Sequence, residues 1–426
     1  MKFESYWLDT VPAIKGLATG EVEGRADVIV IGGGLTGLSA ALSLVKFGAD
    51  VVVLEAGRMI GEASGRNGGQ CNTGLLQDYL EVVKQYGEER ARGFYTTFCA
   101  AVDTVERVVR EERIDCDFAR VGKLKLAAKP EHVEKLALTF DMLRNSVDPD
   151  VRLLSQSDLG NEIDSDIFHG GLLQPGSASL HVGRFGAGLA EASLKRGARL
   201  FESTPVTGIK RESGGGFRVT THRGTLQAKY VLVATGCTTN GGPFGWIRRR
   251  IVPVGSFIIV TEPLTPDAMD ALLPKRRNYV TTMNIGNYFR PTSDNRLLFG
   301  GRARFAMSNK KSDAKSGRIL GDMMSQVFPQ LRETEIDYCW GGLVDMTQDR
   351  FPRAGERNGM HYSMGYSGHG VQMSVHMGQA MADAMNGRPE LNPWKDLRWP
   401  AIPGHFGPPW FLPFVGAYYR VKDRLS

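Results

Sequence analysis

Residues 27–56, DVIVIGGGLTGLSAALSLVKFGADVVVLEA, constrain this chain more than any other stretch. An apolar run at 28–31 with strand character meets Gly32-Gly33-Gly34-Leu35-Thr36-Gly37. A helical pattern follows to Phe47, and Gly48 reads as its stop. A second apolar run at 51–54 then delivers Glu55, 18 residues beyond Gly37. Strand, G-x-G-x-x-G, helix, strand and acid in this order make the dinucleotide fingerprint. Gly32 permits the tight turn, Gly34 lets the backbone approach a pyrophosphate, and Gly37 lets helix and strand pack closely. Leu35 and Thr36 open the helix, whose free N–H groups and partial positive charge suit phosphates. Glu55, followed by Ala56, accepts hydrogen bonds from a ribose 2′-hydroxyl and repels a 2′-phosphate, so the ligand reads as FAD or NAD rather than NADP.

The chain has 426 residues, beyond one ordinary core, which predicts two domains. Its hydrophobic content of 42% and charged content of 23% are those of a soluble globular protein. The uncharged stretch 28–45 contains three consecutive glycines and reads as a buried strand and helix, not a membrane span. Glu4 and Asp9 interrupt the N-terminal segment, so no secretory signal is expected. Cys71, Cys99, Cys116, Cys237 and Cys339 are scattered without a C-x-x-C pair. That spacing argues against a zinc site or a redox motif, and a reducing cytoplasm is the expected home. No metal is expected.

Net charge is +6 and unevenly spread: residues 246–335 hold 15 Lys/Arg against 8 Asp/Glu. Arg248-Arg249-Arg250, Lys275-Arg276-Arg277 and Lys310-Lys311 supply much of the surplus. The plain reading is a solvated basic face, and the functional reading is a field that draws in an anionic substrate or a membrane surface. No nucleic-acid partner is expected, because the clusters lack interleaved aromatics and a nucleic-acid motif.

The pattern predicts a mixed α/β chain of two interleaved domains rather than two in series. Helical spacing runs over 79–114, 131–144, 183–197 and 317–327, with strand signals at 123–128, 199–201, 206–209, 230–236 and much of 251–300. Residues 217–221 and 225–228 read as a hairpin turning at Arg223-Gly224. A short strand at 361–364 enters Gly365-Tyr366-Ser367-Gly368-His369-Gly370 and then a long helix. Three glycine-rich loops therefore stand far apart in sequence: 32–37, 63–70 and 365–370. One nicotinamide dinucleotide needs only the first, whereas a flavin ring needs walls and a donor for the charge that develops on reduction. The helix start at 368–372 is a candidate donor through its N–H groups and dipole. The tail, 394–426, is rich in Trp, Phe and Pro and is expected to pack on the body, with contact to a membrane surface as the less favoured reading.

The combination DVIVIGGGLTGLSAAL, EASGRNGGQ, YVLVATG, NYFRPTSDNRLLFGG and GYSGHGV resembles the D-amino-acid-oxidase-type FAD oxidoreductases. EASGRNGGQ preceded by Gly61, together with the ending Ala417-Tyr418-Tyr419-Arg420-Val421-Lys422-Asp423-Arg424, is most similar to the γ-glutamylputrescine oxidase branch. The resemblance implies a Rossmann-like FAD-binding domain (1–78 with 150–240 and 336–390). It further implies a discontinuous antiparallel-sheet substrate domain (79–149 with 241–335) and an aromatic tail (391–426). On this likeness Gly32, Gly34, Gly37 and Glu55 hold the ADP half. Ser64, Gly65, Arg66, Asn67, Gly68, Gly69 and Gln70 line the flavin ring. Val206 faces the adenine, Ala234, Thr235 and Gly236 close over the pyrophosphate, and Gly342, Gly368, His369, Gly370, Val371 and Gln372 meet the ring. The implied reaction is hydride removal from the carbon beside a neutral amine to flavin N5. The imine then hydrolyses to an aldehyde or keto product, and O2 reoxidises the flavin to give hydrogen peroxide. The protein's part is to desolvate the amine, which favours its uncharged form, and to hold the C–H in place.

The segment WGGLVDMT at 340–347 has no Cys where some relatives attach FAD, so non-covalent FAD is expected; Cys339 and Trp340 read as core. Gln372 stands where the sarcosine-oxidase type has a carboxylate-binding Lys, and Leu298 where a Lys aids oxygen. His369, His181, Tyr288, Arg302 and Gln372 are the candidate catalytic residues, and Tyr288, Arg290 and Arg302 together suit a distal carboxylate. The expected substrate is γ-glutamylputrescine or a related amino-acid-derived amine. A dehydrogenase passing electrons to a quinone or partner protein, and a non-catalytic FAD-binding protein, are the alternatives.

Overall fold

The computed structural model describes residues 1–237, 242–302, 310–407 and 409–425. Its frame is two eight-stranded sheets. In the first, strand Arg25–Ile31 lies between Gly224–Val233 and Val51–Leu54, parallel to both, with Ile31 beside Val233 and Leu54. Arg199–Phe201 extends one side in parallel, and Met360–Met364 runs parallel to Gly224–Val233 on the other. Val28–Ile31 and Val51–Leu54 are buried throughout, as a parallel strand covered on both faces requires. Helices Leu35–Lys46, Val182–Lys195 and Gly370–Met385 cover one face and share one large apolar core with it. The hairpin Phe217–Thr221 with Gly224–Val233 forms where the turn residues predict it.

The second sheet runs in the order Ile336–Met346, Val252–Thr261, Leu297–Gly301, Asn287–Pro291, Asn278–Thr281, Lys123–Leu126, Gly170–Gln174, Arg152–Ser155. All neighbours are antiparallel except Asn278–Thr281 with Lys123–Leu126. Its own core stacks Tyr279, Phe289 and Phe299, with ring centroids 5.3 and 5.5 Å apart. The chain is thus α/β with a Rossmann-like sheet and a discontinuous, mainly antiparallel one.

Several expectations shift. Strands Arg152–Ser155, Gly170–Gln174 and Ile336–Met346 pair in the second sheet, not with the nucleotide unit where the sequence boundaries put them. None of the three carries a strand signal picked out from the sequence, and each finds its partner only across a long stretch of chain. The helical stretch 79–114 is two helices, Tyr79–Tyr86 and Glu88–Glu112, broken at Gly87, whose φ of +82° ends the first. The helix expected over 317–327 begins at Lys310. The side chains of Lys310, Lys311 and Arg424 lie outside the described residues. No helix among the described residues is long and apolar enough to cross a membrane.

Candidate active site

One cavity of about 1260 Å³ reaches all three glycine-rich loops. At one end it is lined by Gly32, Gly34, Leu35 and Thr36, where strand Arg25–Ile31 turns into helix Leu35–Lys46. The glycines act by close approach. A Cβ on Gly32 would stand 2.5 Å from Ala234 O, and one on Gly34 2.7 Å from Ser64 Oγ. Gly37 does not line the cavity; a Cβ there would meet Gly32 O at 2.0 Å, which is the helix-to-strand packing its position predicts. Glu55, beside Ala56, lines the same end. Its carboxylate accepts from Gly33 N and from Gly57 N, both at 2.7 Å. Burial raises its pKa, and the two backbone donors oppose that rise.

Val206, Ala234, Thr235 and Gly236 line the wall opposite the helix N-terminus. Ser64, Arg66, Asn67, Gly68 and Gln70 continue it toward the second sheet. This loop is held from behind. Leu35 N donates to Ser64 Oγ at 3.0 Å, Arg66 donates to Gly61 O and Gly341 O, and Trp340 Nε1 donates to Arg66 O at 2.9 Å. Gly65 and Gly69 face away: a Cβ on Gly65 would strike Ile60 O, and Gly69 has φ +65° against Leu180 O. Trp340 and Cys339 are core, as expected, and Cys339 Sγ donates to Asp313 O.

The late turn closes the middle. Gly368, His369, Gly370, Val371 and Gln372 all line the cavity, with Gly342 on the facing strand. His369 is held well below the usual histidine range, at about 3, first by burial and then by the Lys123 ammonium, so its ring is neutral at ordinary pH. Gln372 Nε2 donates to Asn72 O at 2.7 Å. Five buried side-chain atoms of cavity-lining residues have no partner among the described residues: Gln70 Nε2, Gln77 Oε1, Thr235 Oγ1, His369 Nδ1 and Gln372 Oε1. Buried donors and acceptors of this kind seek a ligand, so the cavity fits an extended polar molecule with donors and acceptors of its own.

The far end belongs to the second sheet. Tyr288, Arg302, Lys123 and Lys125 line it, with Arg350 and Tyr419. Tyr288 OH lies 3.3 Å from Ser256 Oγ, and burial pushes its phenol up to about 12. Burial lowers the pKa of Arg302, and the nearby Arg350 guanidinium adds to that. Lys123 is buried, donates to Thr73 O at 2.7 Å, and is brought down to about 7 by desolvation.

Two candidates fall elsewhere. His181 does not line the cavity; its Nδ1 caps helix Val182–Lys195 by accepting from Arg184 N, and its ring packs on Tyr6 and Trp7. Arg290 is buried and spent on carbonyls of Gly68, Leu180 and Pro291. A guanidinium on the inward side of a strand reaches the backbone of the next layer before it reaches the cavity. Sequence reading also missed residues. Lys123 and Lys125 alternate with Leu124 and Leu126, so one face of a buried strand is polar, and that signal was available. Asp345 was not legible: its half-buried carboxylate lines the cavity and accepts from Gly365 N at 2.6 Å.

Residues 27–384 match the family described as FAD dependent oxidoreductase. The chain belongs to that family. A probable oxidoreductase OrdL of Haemophilus influenzae is 34% identical over 386 residues, covering 89% of this chain and 88% of the relative. The gamma-glutamylputrescine oxidoreductase of Escherichia coli is 33% identical over 405 residues, covering 94% of this chain and 93% of the relative. Among solved structures, glycine oxidase from Geobacillus kaustophilus superposes with a TM-score of 0.72 at 22% identity, over 90% of this chain and 99% of that one. L-proline dehydrogenase from P. horikoshii gives a TM-score of 0.70 at 18% identity, over 88% and 98%. The fold is theirs, and the protein is an FAD-dependent oxidoreductase.

Proposed function

We propose that this oxidoreductase oxidises an amine that carries a carboxylate away from the reacting carbon, with γ-glutamylputrescine or a related amino-acid-derived amine as the substrate. The observation that carries this reading is the set of basic side chains lining the far end of the cavity: Arg302 lies near Tyr288 and Arg350, and Lys125 shares the register of Tyr288 two strands away, with Asp78 near it. A guanidinium and an ammonium in a half-buried site bind a carboxylate by charge-assisted hydrogen bonds. The Escherichia coli relative, gamma-glutamylputrescine oxidoreductase, supports the same chemistry.

In this reading Gly32, Gly34, Leu35, Thr36, Glu55 and Ala56 hold the ADP half of a non-covalent FAD, with Val206, Ala234, Thr235 and Gly236, while Gly37 lets the helix pack close to the strand. Ser64, Arg66, Asn67, Gly68 and Gln70, with Gly342 and 368–372, surround its ring. The chemistry FAD supplies when bound is acceptance of a hydride from the carbon beside an uncharged amine. The chain's own residues prepare that carbon. Neutral His369 and Gln372 desolvate the amine without adding charge, and the cationic end fixes the carboxylate, which orients the chain between them. Lys123, at about 7, can hold or release a proton near neutral pH within the same space.

Anaerobic mixing with a panel of amines tests the substrate. Loss of the visible flavin absorbance with γ-glutamylputrescine, faster than with sarcosine or D-amino acids, is the expected result. Equal or faster loss with small amino acids would remove the distal-carboxylate reading, and no loss with any amine would favour a non-catalytic protein. Rapid reoxidation in air, with peroxide released, is expected of an oxidase. Slow reoxidation in air with fast turnover on a quinone would make the enzyme a dehydrogenase.

A further inference from the structure

The C-terminal helix Leu412–Leu425 divides its two faces between different environments. Its inner face serves the cavity: Leu412 is buried, Tyr419 lines the cavity, and the Asp423 carboxylate accepts from Asn284 N and Ile285 N at 2.9 and 2.8 Å. Its outer face is aromatic and open. Trp410, Phe414 and Tyr418 are 67%, 70% and 62% exposed, and Val421 continues the row. These positions are four, four and three residues apart and form one stripe. Phe406, 72% exposed, extends the stripe before the helix, with the Arg249 guanidinium 5.1 Å above its ring. Six of the described large apolar side chains left in water fall within 391–421.

The rim of this stripe is basic. Arg248 and Arg249 are exposed next to Phe406 and Gly407, and Arg420 is exposed on the helix itself. The acid nearest on the helix, Asp423, is committed to the backbone of 284–285. The other basic clusters of 246–335 are partly neutralised: Arg276 pairs with Asp270, Arg277 with Glu162, and Arg296 with Asp294 and Asp337. Arg248 and Arg249 have no such partner among the described residues.

From this arrangement we infer that the outer face of the C-terminal helix docks on an anionic lipid surface. A helix with an aromatic face and arginines at its edge lies in the plane of the headgroups, rings inserted and guanidinium groups among the phosphates. Juxtaposed basic side chains add attraction that only a negative leaflet supplies. A second copy of the chain is the poorer occupant, because a two-fold contact over this stripe would bring the same arginine rims together. Docking leaves the helix's inner face on the cavity wall, so that wall comes to lie directly against the bilayer.

The test is co-sedimentation of the FAD-loaded full chain with vesicles of phosphatidylglycerol and phosphatidylcholine, and with phosphatidylcholine alone. The chain is expected to sediment with the mixed vesicles, to bind the neutral ones far less, and to detach as salt rises. Trp410→Ser with Phe414→Ser is expected to lower the bound fraction about tenfold while turnover of a soluble amine is unchanged. Arg248→Glu with Arg249→Glu is a second variant with the apolar stripe intact, and it is expected to lose the anionic vesicles. Absence of vesicle binding, or equal binding by wild type and both variants, would overturn the proposal. So would a concentration-dependent doubling of mass by light scattering that the Trp410 and Phe414 substitutions abolish.

Discussion

Thr36 Oγ1 and Tyr366 OH lie 2.8 Å apart across 330 positions of sequence, and Tyr366 OH is also 2.9 Å from Ser363 Oγ. This bond ties the first glycine-rich turn to the last. It is backed by Gly378, where a Cβ would meet Thr36 O at 2.5 Å, and by Ser39 Oγ donating to Val375 O. The nucleotide end of the cavity is therefore tied directly to its middle.

Tyr366→Phe keeps the ring but removes the hydroxyl, and with it the buried bonds to Thr36 and to Ser363. A stability loss of about 1–2 kcal/mol is expected, read by denaturant unfolding of the holoenzyme. Thr36→Val combined with Tyr366→Phe should cost less than the two single losses summed, since both remove the same bond.

Glu55→Ala removes the acceptor of two backbone N–H groups and the proposed ribose partner together. Weaker FAD binding by about 10–100-fold is expected, measured by flavin fluorescence on titrating the apoprotein. Glu55→Gln keeps one acceptor oxygen and should fall between.

The Asp345 carboxyl, half-buried on the cavity wall, is pushed up to about 6 from an ordinary 3.8, chiefly by desolvation, while the amides around 365–367 oppose it. The unfolded chain ionises this group first as pH rises. Its contribution to stability is therefore lost as pH rises from about 4 to about 6 and regained on acidification. Asp345→Asn should flatten that part of the stability–pH curve, and an unchanged curve would exclude Asp345 as its source.

Arg302→Met and Lys125→Met test the cationic end of the cavity. Each is expected to raise KM for a carboxylate-bearing amine about tenfold or more, with kcat little changed. An amine of the same length without the carboxylate should show no such rise.

His181 is held at about 4, mainly by burial and then by the Arg184 guanidinium. Its folded pKa lies below the unfolded one, so stability falls as pH drops from about 6.5 to about 4. His181→Asn keeps a capping side chain and should remove that loss, while steady-state parameters stay at wild-type values. A large fall in kcat would restore His181 to the active site.

The nucleotide half of the site was legible because its signal is local. Gly32, Gly34, Gly37 and Glu55 act through backbone clearances within one β-α-β unit, and those clearances dictate residue type at fixed spacing. The turn at 365–370 was legible as a feature for the same reason. What the linear order withheld was partnership. Ile336–Met346 carries no alternating pattern that marks it as a strand, and nothing local says that it pairs with Val252–Thr261. His181 and Arg290 carry chemistry that suits a site, yet packing aims one at a helix end and the other at three carbonyls. Asp345 and the open face of the last helix acquire meaning only through what the fold sets beside them. Conformational demands on the backbone are written residue by residue, whereas burial and charge environment are properties of the assembled chain.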